Sequence, residues 1–232
     1  MIESIETVGI GPGASFLLEP GARLSLITGD NGLGKSFLLD VAWWACARDW
    51  PKQPVIPRRH FDHNSHAQHL DDPRISARLE SSSGTSERTY RFDVDRSAWR
   101  TNEAGRPANP GLVLYARLDG GFSAWDPARN YYRYREASNI DEPQRPSAFH
   151  LTREEVWSGK KDDAGKTVSR GLLVDWREWK IADPTTFKIF ETVFSRLLPP
   201  EERVSFADEP IRMPDDTAAL LPGLNTPYGV IP

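Results

Sequence analysis

Residues 24–47 read LSLITGDNGLGKSFLLDVAWWACA. An apolar run leads into a glycine-rich turn, and the turn leads into an uninterrupted apolar segment. The middle, GDNGLGKS at residues 29–36, matches the pattern G-x-x-x-x-G-K-[ST]. That spacing carries a mechanism. Glycines at 29, 32 and 34 let the backbone curl so that successive N–H groups converge on an anion, and a helix starting at Lys35 adds the positive end of its dipole. Lys35 then reaches the outer phosphates of a bound chain, and Ser36 is placed to ligate a magnesium ion. The flanks supply the context the pattern needs, with a strand predicted over residues 23–28 and a helix from Lys35 to Cys46 or Ala47. The helix is apolar on nearly every side, which predicts burial against a sheet.

Working outward, the N-terminal residues divide into short apolar segments separated by glycine and proline, predicting strands at residues 5–8 and 14–18. Residues 51–74 are polar and rich in proline and histidine, and read as loop with short helical pieces. Period-2 alternation returns in ISARLE and TYRFDVDRSAW, where Tyr90, Phe92 and Val94 share one face. With SSSGTSE between them, they predict an antiparallel hairpin. GLVLYARL reads as a further, more buried strand, and GGFSAWD extends the meander. Thr152 followed by Glu155 fits a capping box. GLLVDWREWK and TTFKIFETVFSRLLP read as helices joined near Asp183-Pro184, the second with an apolar stripe at Phe187, Phe190, Val193 and Leu197 or Leu198. The expected organisation is residues 1–50 (strands, glycine loop and helix), 51–146 (polar loop and antiparallel meander) and 147–232 (helices and an extended tail).

Composition narrows the classes. A formal net charge of −4 over 232 residues gives no global basic footprint, so nucleic-acid binding would need a local patch. Arg91, Arg96 and Arg100 beside Tyr90 and Trp99 come nearest to one, although Asp93 and Asp95 interrupt the positive field. The single cysteine, Cys46, reads as a buried thiol, and no apolar run approaches the roughly 18 residues of a membrane span. A cytoplasmic protein without a membrane partner is expected. His60, His63, His66 and His69 recur every three residues beside Asp62; in a helix they would drift around one face, where a metal ion competes with a plain hydrophilic surface. Of the tryptophans, Trp43 and Trp44 read as core, and Trp176 and Trp179 share a helix face.

The phrase LSLITGDNGLGKSFLLDVAWWA, preceded by two short strands, resembles the start of an ABC-type ATPase head. That group includes the heads of chromosome-organising and DNA-repair ATPases and the standalone AAA ATPases related to the overcoming-lysogenization-defect class. Gly29, Asn31, Gly32, Gly34, Lys35 and Ser36 stand where their loop has its defining residues, and the resemblance covers roughly the first 48 positions. It implies an α/β P-loop NTPase fold with an N-terminal antiparallel element and an inserted α+β lobe. It further implies ATP and Mg²⁺ as cofactors and ATP hydrolysis by heads that dimerise around nucleotide, in DNA repair or phage defence with DNA, a nuclease or another effector as partner. The binding residues it implies are Gly29, Asp30, Asn31, Gly32, Leu33, Gly34, Lys35, Ser36 and Phe37, with Lys35 catalytic and Ser36 on the metal. A nucleotide-gated scaffold with little hydrolysis and a small-molecule P-loop kinase are the alternatives.

Several parts of that class have no counterpart. The acid pair after an apolar strand has two decoys, Asp175 in GLLVDWRE and Asp208-Glu209 in VSFADEP. No signature serine-glycine segment or switch histidine follows, and Gln53, Gln68 and Gln144 do not suit the lobe-linking glutamine. The expectation is therefore an N-terminal portion whose remaining sheet strands lie beyond Pro232, near-inactive on its own.

Overall fold

The computed structural model describes residues 1–62, 67–70, 72–81, 84–100, 111–126 and 148–197, together with strand segments at 205–206, 211–212, 220–221, 224–226 and 229–231. The chain divides into two compact units. One comprises Met1–Leu118 with Phe122–His150, and the other Asp119–Gly121 with Leu151–Pro232.

The first unit is organised by one helix, α1 (Lys35–Ala47), and a five-stranded sheet. Its strands are β1 (Ile2–Val8), β2 (Ser15–Leu18), β5 (Arg74–Ser81), β6 (Gly84–Asp93) and β7 (Ala98–Trp99), in the order β2-β1-β5-β6-β7. Alternation decides which face is covered. Ile5 and Thr7 on β1, Ile75, Ala77 and Leu79 on β5, and Tyr90 on β6 are buried, while Glu6, Arg78, Glu80 and Arg91 face water. Register aligns the buried side, since Thr7 lies opposite Ile75 and Ile75 opposite Tyr90. α1 lies against this row, bringing Val41, Trp44 and Ala45 into one cluster with Ile5, Ile10, Ile75, Ala77, Tyr90 and Trp99. Its other side, through Trp43 and Ala47, meets Trp125 and Ala148. These two come from β9 (Phe122–Trp125) and the lead into β10 (Phe149–Leu151), which with β8 (Val113–Ala116) form a second sheet in the order β10-β9-β8. A helix flanked by apolar clusters on two sides has no use for a polar stripe, which is why its sequence shows none.

The remaining pair in this unit is β3 (Arg59–Asp62) with β4 (Ala67–Leu70), an antiparallel pair where the sequence suggested loop and short helix. Polar, histidine-bearing segments lack the apolar alternation that announces a strand. In the second unit the capping box holds. Thr152 Oγ1 accepts from Glu155 N–H at 3.1 Å, and Glu155 Oε2 accepts from Thr152 N–H at 2.8 Å, starting α2 (Arg153–Ser158). A short pair, β11 (Lys160–Lys161) with β12 (Thr167–Ser169), leads to α3 (Leu172–Ala182) and α4 (Pro184–Leu197). Asp183 ends α3 and serves the start of α4, where its carboxylate accepts from Thr186 N–H at 3.0 Å and Pro184 follows in the first turn. Trp179 meets Phe190 at 5.8 Å between ring centroids, joining the two helices. Short strands β13 (Ser205–Phe206), β14 (Ile211–Arg212), β15 (Leu220–Leu221), β16 (Leu224–Thr226) and β17 (Gly229–Ile231) pair antiparallel in the last part of the chain.

The strand ladders overturn the resemblance to an ABC-type ATPase head and the P-loop NTPase fold it implied. Every pairing with a described register is antiparallel. A parallel pair requires a crossover that returns the chain in the same direction. Here α1 is followed by the β3–β4 pair, and the chain re-enters the sheet as β5, antiparallel to β1. Residues 23–28, predicted as the strand feeding the loop, belong to no sheet. A parallel sheet left incomplete at Pro232 is therefore not what these elements build.

Candidate anion-binding loop

The loop is nevertheless shaped as its glycines require. Gly29, Gly32 and Gly34 all have positive φ, at 143°, 85° and 90°. Gly34 is constrained twice, since a Cβ there would also fall 2.7 Å from Cγ of Pro12 in the β1–β2 turn. Phe37 secures the other side, where a Cβ on Gly11 would fall 2.6 Å from its ring and Phe16 lies 5.9 Å away between centroids. The β1–β2 turn thus packs on the first turn of α1 and fixes the loop's exit.

Lys35 closes the loop from inside. Its Nζ donates to Gly29 O and to Asp30 O, each at 2.7 Å. Gly34 occupies the N-cap position, no side chain caps the helix, and the first turn holds no acidic residue. The first bond into the helix is Leu38 N–H to Gly34 O at 2.9 Å. Asp30, Asn31, Gly32, Leu33 and Ser36 are exposed, and Asp40, one turn beyond Ser36, accepts from Tyr115 Oη at 2.8 Å. The loop therefore presents an ammonium group, amides at a helix start and no compensating carboxylate in that turn.

The other parts of a nucleotide enzyme do not assemble around it. Asp175 lies in the first turn of α3 and pairs with Arg170 at 3.4 Å, so this decoy is a helix residue and not an acid at a strand end. Asp208-Glu209, Gln144, His63 and His66 lie outside the described residues. Among the described residues no group of three or more His, Cys, Asp or Glu side chains is placed to hold a metal ion, around Ser36 or elsewhere. With the parallel sheet gone, the expectations of ATP and Mg²⁺ as cofactors, of ATP hydrolysis with Lys35 as a catalytic group, of a nucleotide-gated scaffold and of a P-loop kinase are overturned. His60 and His69 face each other across β3 and β4 in register, in place of the helical run that would have gathered imidazoles on one face.

The basic–aromatic patch is neutralised in place. Arg91 bonds Asp72, and Arg100 Nε lies 3.2 Å from Asp93 Oδ2. The Arg91 guanidinium holds the Asp72 carboxyl below the usual carboxylate range, and the Arg96 backbone N–H does the same for Asp93, with Arg100 adding its charge. Tyr90 and Trp99 point into the core, away from any ligand.

A polar cluster that no sequence pattern announced lies beside the second apolar cluster. Arg117 donates to Ser123 Oγ at 2.6 Å, and Ser123 Oγ lies 2.9 Å from His150 Nδ1. His150 Nε2 lies 3.3 Å from Asp49 Oδ2, which also accepts from Ala148 N–H at 3.1 Å. Serine, histidine and aspartate in a row suggest a nucleophile, but Ser123 is fully buried and its hydroxyl already bonded to Arg117, so substrate has no approach. The cluster instead joins the end of α1 to β9 and β10. The His150 hydrogen bond holds the Asp49 carboxyl below its ordinary value against the opposing effect of burial, aided by the imidazole charge and by Ala148 and Trp50 backbone N–H groups. A carboxyl depressed in the folded state stabilises above its unfolded pKa and loses that contribution as pH falls through the folded value. Asp49→Asn is expected to melt below the wild type at pH 7, with the difference shrinking as pH falls below about 4. A gap in melting temperature that stayed constant from pH 7 to pH 2 would refute this.

The fold and loop define a class only: a mixed α/β protein of small antiparallel sheets with a glycine-rich loop at the start of its central helix. Compared with protein-family models, curated proteins and solved structures, the chain matches none. Among the described residues no helix is long and apolar enough to cross a membrane.

Proposed function

We propose that residues 29–37 bind an oxyanion, a phosphate or carboxylate group carried by a ligand, and that the protein acts as a binding module. The observation that carries this reading is Lys35, an ammonium group held by two carbonyls of its own loop at a helix start with no side-chain cap and no acid in the first turn. An ammonium group has three donors, so two internal bonds leave one for a ligand. Backbone amides at the helix start supply further donors, and the dipole favours negative charge there. Gly32 leaves the approach open at that position, because a Cβ there would meet nothing within 4 Å among the described residues.

Titration with inorganic phosphate, followed by amide resonances, is expected to shift residues 32–37 selectively. Lys35→Ala removes the charge-assisted bond, about 1.5–3 kcal/mol, and is expected to weaken binding by roughly tenfold or more while leaving the circular dichroism spectrum unchanged. Absence of shifts at millimolar phosphate, or equal shifts in the variant, would remove this function.

A further inference from the structure

Asn31-Gly32 is the chain's one asparagine-glycine pair, and it stands in the middle of the glycine-rich loop. Both residues are exposed. Among the described residues neither the Asn31 carboxamide nor the Gly32 N–H has a hydrogen-bond partner. A Cβ on Gly32 would meet nothing within 4 Å among them, so no described side chain crowds its nitrogen. The carboxamide and the backbone nitrogen that follows it are therefore both unspent. The chain's one aspartate-glycine pair is held differently. Asp119 Oδ1 accepts from Gly121 N–H at 3.0 Å, and a Cβ on Gly120 would lie 3.1 Å from Arg153 Cγ.

We infer that Asn31 is a site of spontaneous deamidation, and that the carboxylate formed there shuts the loop to anions. The Gly32 nitrogen, having lost its proton to solvent base, attacks Cγ of Asn31. The new N–Cγ bond closes a succinimide while the Cγ–Nδ2 bond breaks, and the side-chain nitrogen leaves as ammonia after taking a proton from water. Water then opens the ring. Addition at Cγ restores the main chain and leaves aspartate, whereas addition at the α-carbonyl leaves the main chain running through Cγ as isoaspartate. Carboxamide and water become carboxylate and ammonium, so no oxidant, reductant or second protein enters. Glycine favours the attack because it has no Cβ to obstruct its nitrogen and its backbone reaches conformations closed to other residues. The consequence is electrostatic, and this half of the inference rests on the oxyanion reading above. Lys35 Nζ bonds the carbonyls of Gly29 and Asp30, the two residues before Asn31. Asp30 already brings one exposed carboxylate to the loop, and a second beside it outnumbers the ammonium group that an incoming anion needs. Binding capacity then declines with the age of the molecule, faster at higher pH because the attacking nitrogen is the deprotonated one.

The test ages the full chain in mildly alkaline buffer beside the same chain unfolded in urea, followed by digestion, mass spectrometry and an isoaspartate assay. Asn31 in the folded chain is expected to convert at a rate within roughly tenfold of the unfolded chain, ahead of every other asparagine, while Asp119-Gly120 stays unchanged. Phosphate affinity of the aged chain, and of Asn31→Asp made directly, should fall by roughly fivefold. Aged Asn31→Gln should keep its affinity, because the longer side chain forms the corresponding ring far more slowly. Asn31 left intact in the folded chain while the unfolded chain converts would overturn the inference. Conversion with undiminished phosphate affinity would overturn the closing of the loop. Conversion in a chain whose fresh form binds no phosphate would remove the oxyanion function and leave the modification site standing.

Discussion

Replacing Trp44 with alanine is expected to lower the unfolding free energy by about 3–5 kcal/mol, against a total of about 5–15 kcal/mol for a domain. Trp44 is 1% exposed at the centre of the first apolar cluster. Its ring stacks on Trp50 at 5.1 Å and 15°, meets Tyr90 edge-on at 5.1 Å, and lies 5.9 Å from Trp99. The Arg48 guanidinium covers the same group, 3.7 Å from the Tyr90 ring centroid and 5.3 Å from that of Trp44. Alanine keeps the helix, because its propensity is the highest, but removes the ring that the others pack around. The surrounding rings are rigid, so the void closes poorly and the cost lies toward the upper end. Urea unfolding followed by far-ultraviolet circular dichroism measures this without relying on tryptophan emission. Leu24→Ser, at a position exposed to solvent, is the contrast and is expected to change stability by less than about 0.5 kcal/mol. Similar midpoints for the two variants would show that the aromatic cluster does not hold this unit together.

What the sequence revealed follows from which interactions are local. α1 was predicted within a residue of its bounds because its start is set by Gly34 and its body has no breaker. The β5–β6 hairpin, the capping box at Thr152 and the α3–α4 junction at Asp183-Pro184 were equally legible, each being written in a few adjacent residues. Trp43 and Trp44 were read as core residues, as they are. Val94 and Leu114 were expected to be covered and are instead 57% and 58% exposed.

Sheet direction was the main failure, and its cause is physical. A phosphate-loop pattern fixes backbone curvature over eight residues and carries no information about which strand lies beside the one before it. Residues 23–28 have the alternation of a strand, but a strand exists only with a partner, and the described chain offers them none. The polar cluster was illegible for the same reason. Asp49, the Arg117–Ser123 pair and His150 are separated by tens of residues, and only the packing of α1 against the β8–β9–β10 sheet brings them together.

Gly171→Ala is expected to be the most damaging single substitution in the second unit. Gly171 stands at the N-cap of α3 with φ 81° and ψ 154°, a backbone conformation that is essentially restricted to glycine. A Cβ there would lie 2.3 Å from Gly159 N, 2.5 Å from Trp157 O and 2.7 Å from Ser158 C. All three are backbone atoms at the end of α2, so no side chain can rotate aside. The start of α3 must move away from α2 or change conformation, and either shift disturbs the Asp175 N–H to Gly171 O bond that begins α3. Strain of about 1–3 kcal/mol for the conformation alone, added to displaced backbone, predicts a loss of about 3–5 kcal/mol, in the range reserved for a named structural fault. Gly165→Ala separates the two causes. Gly165 has φ 77°, but a Cβ there meets nothing within 4 Å, so only the left-handed strain of about 1–2 kcal/mol applies. Hydrogen exchange across α2, α3 and α4 should show strong loss of protection in Gly171→Ala and modest loss in Gly165→Ala. Equal protection in the two would mean that the close approach of α2 to α3 contributes nothing, and that backbone conformation alone makes glycine necessary at both positions.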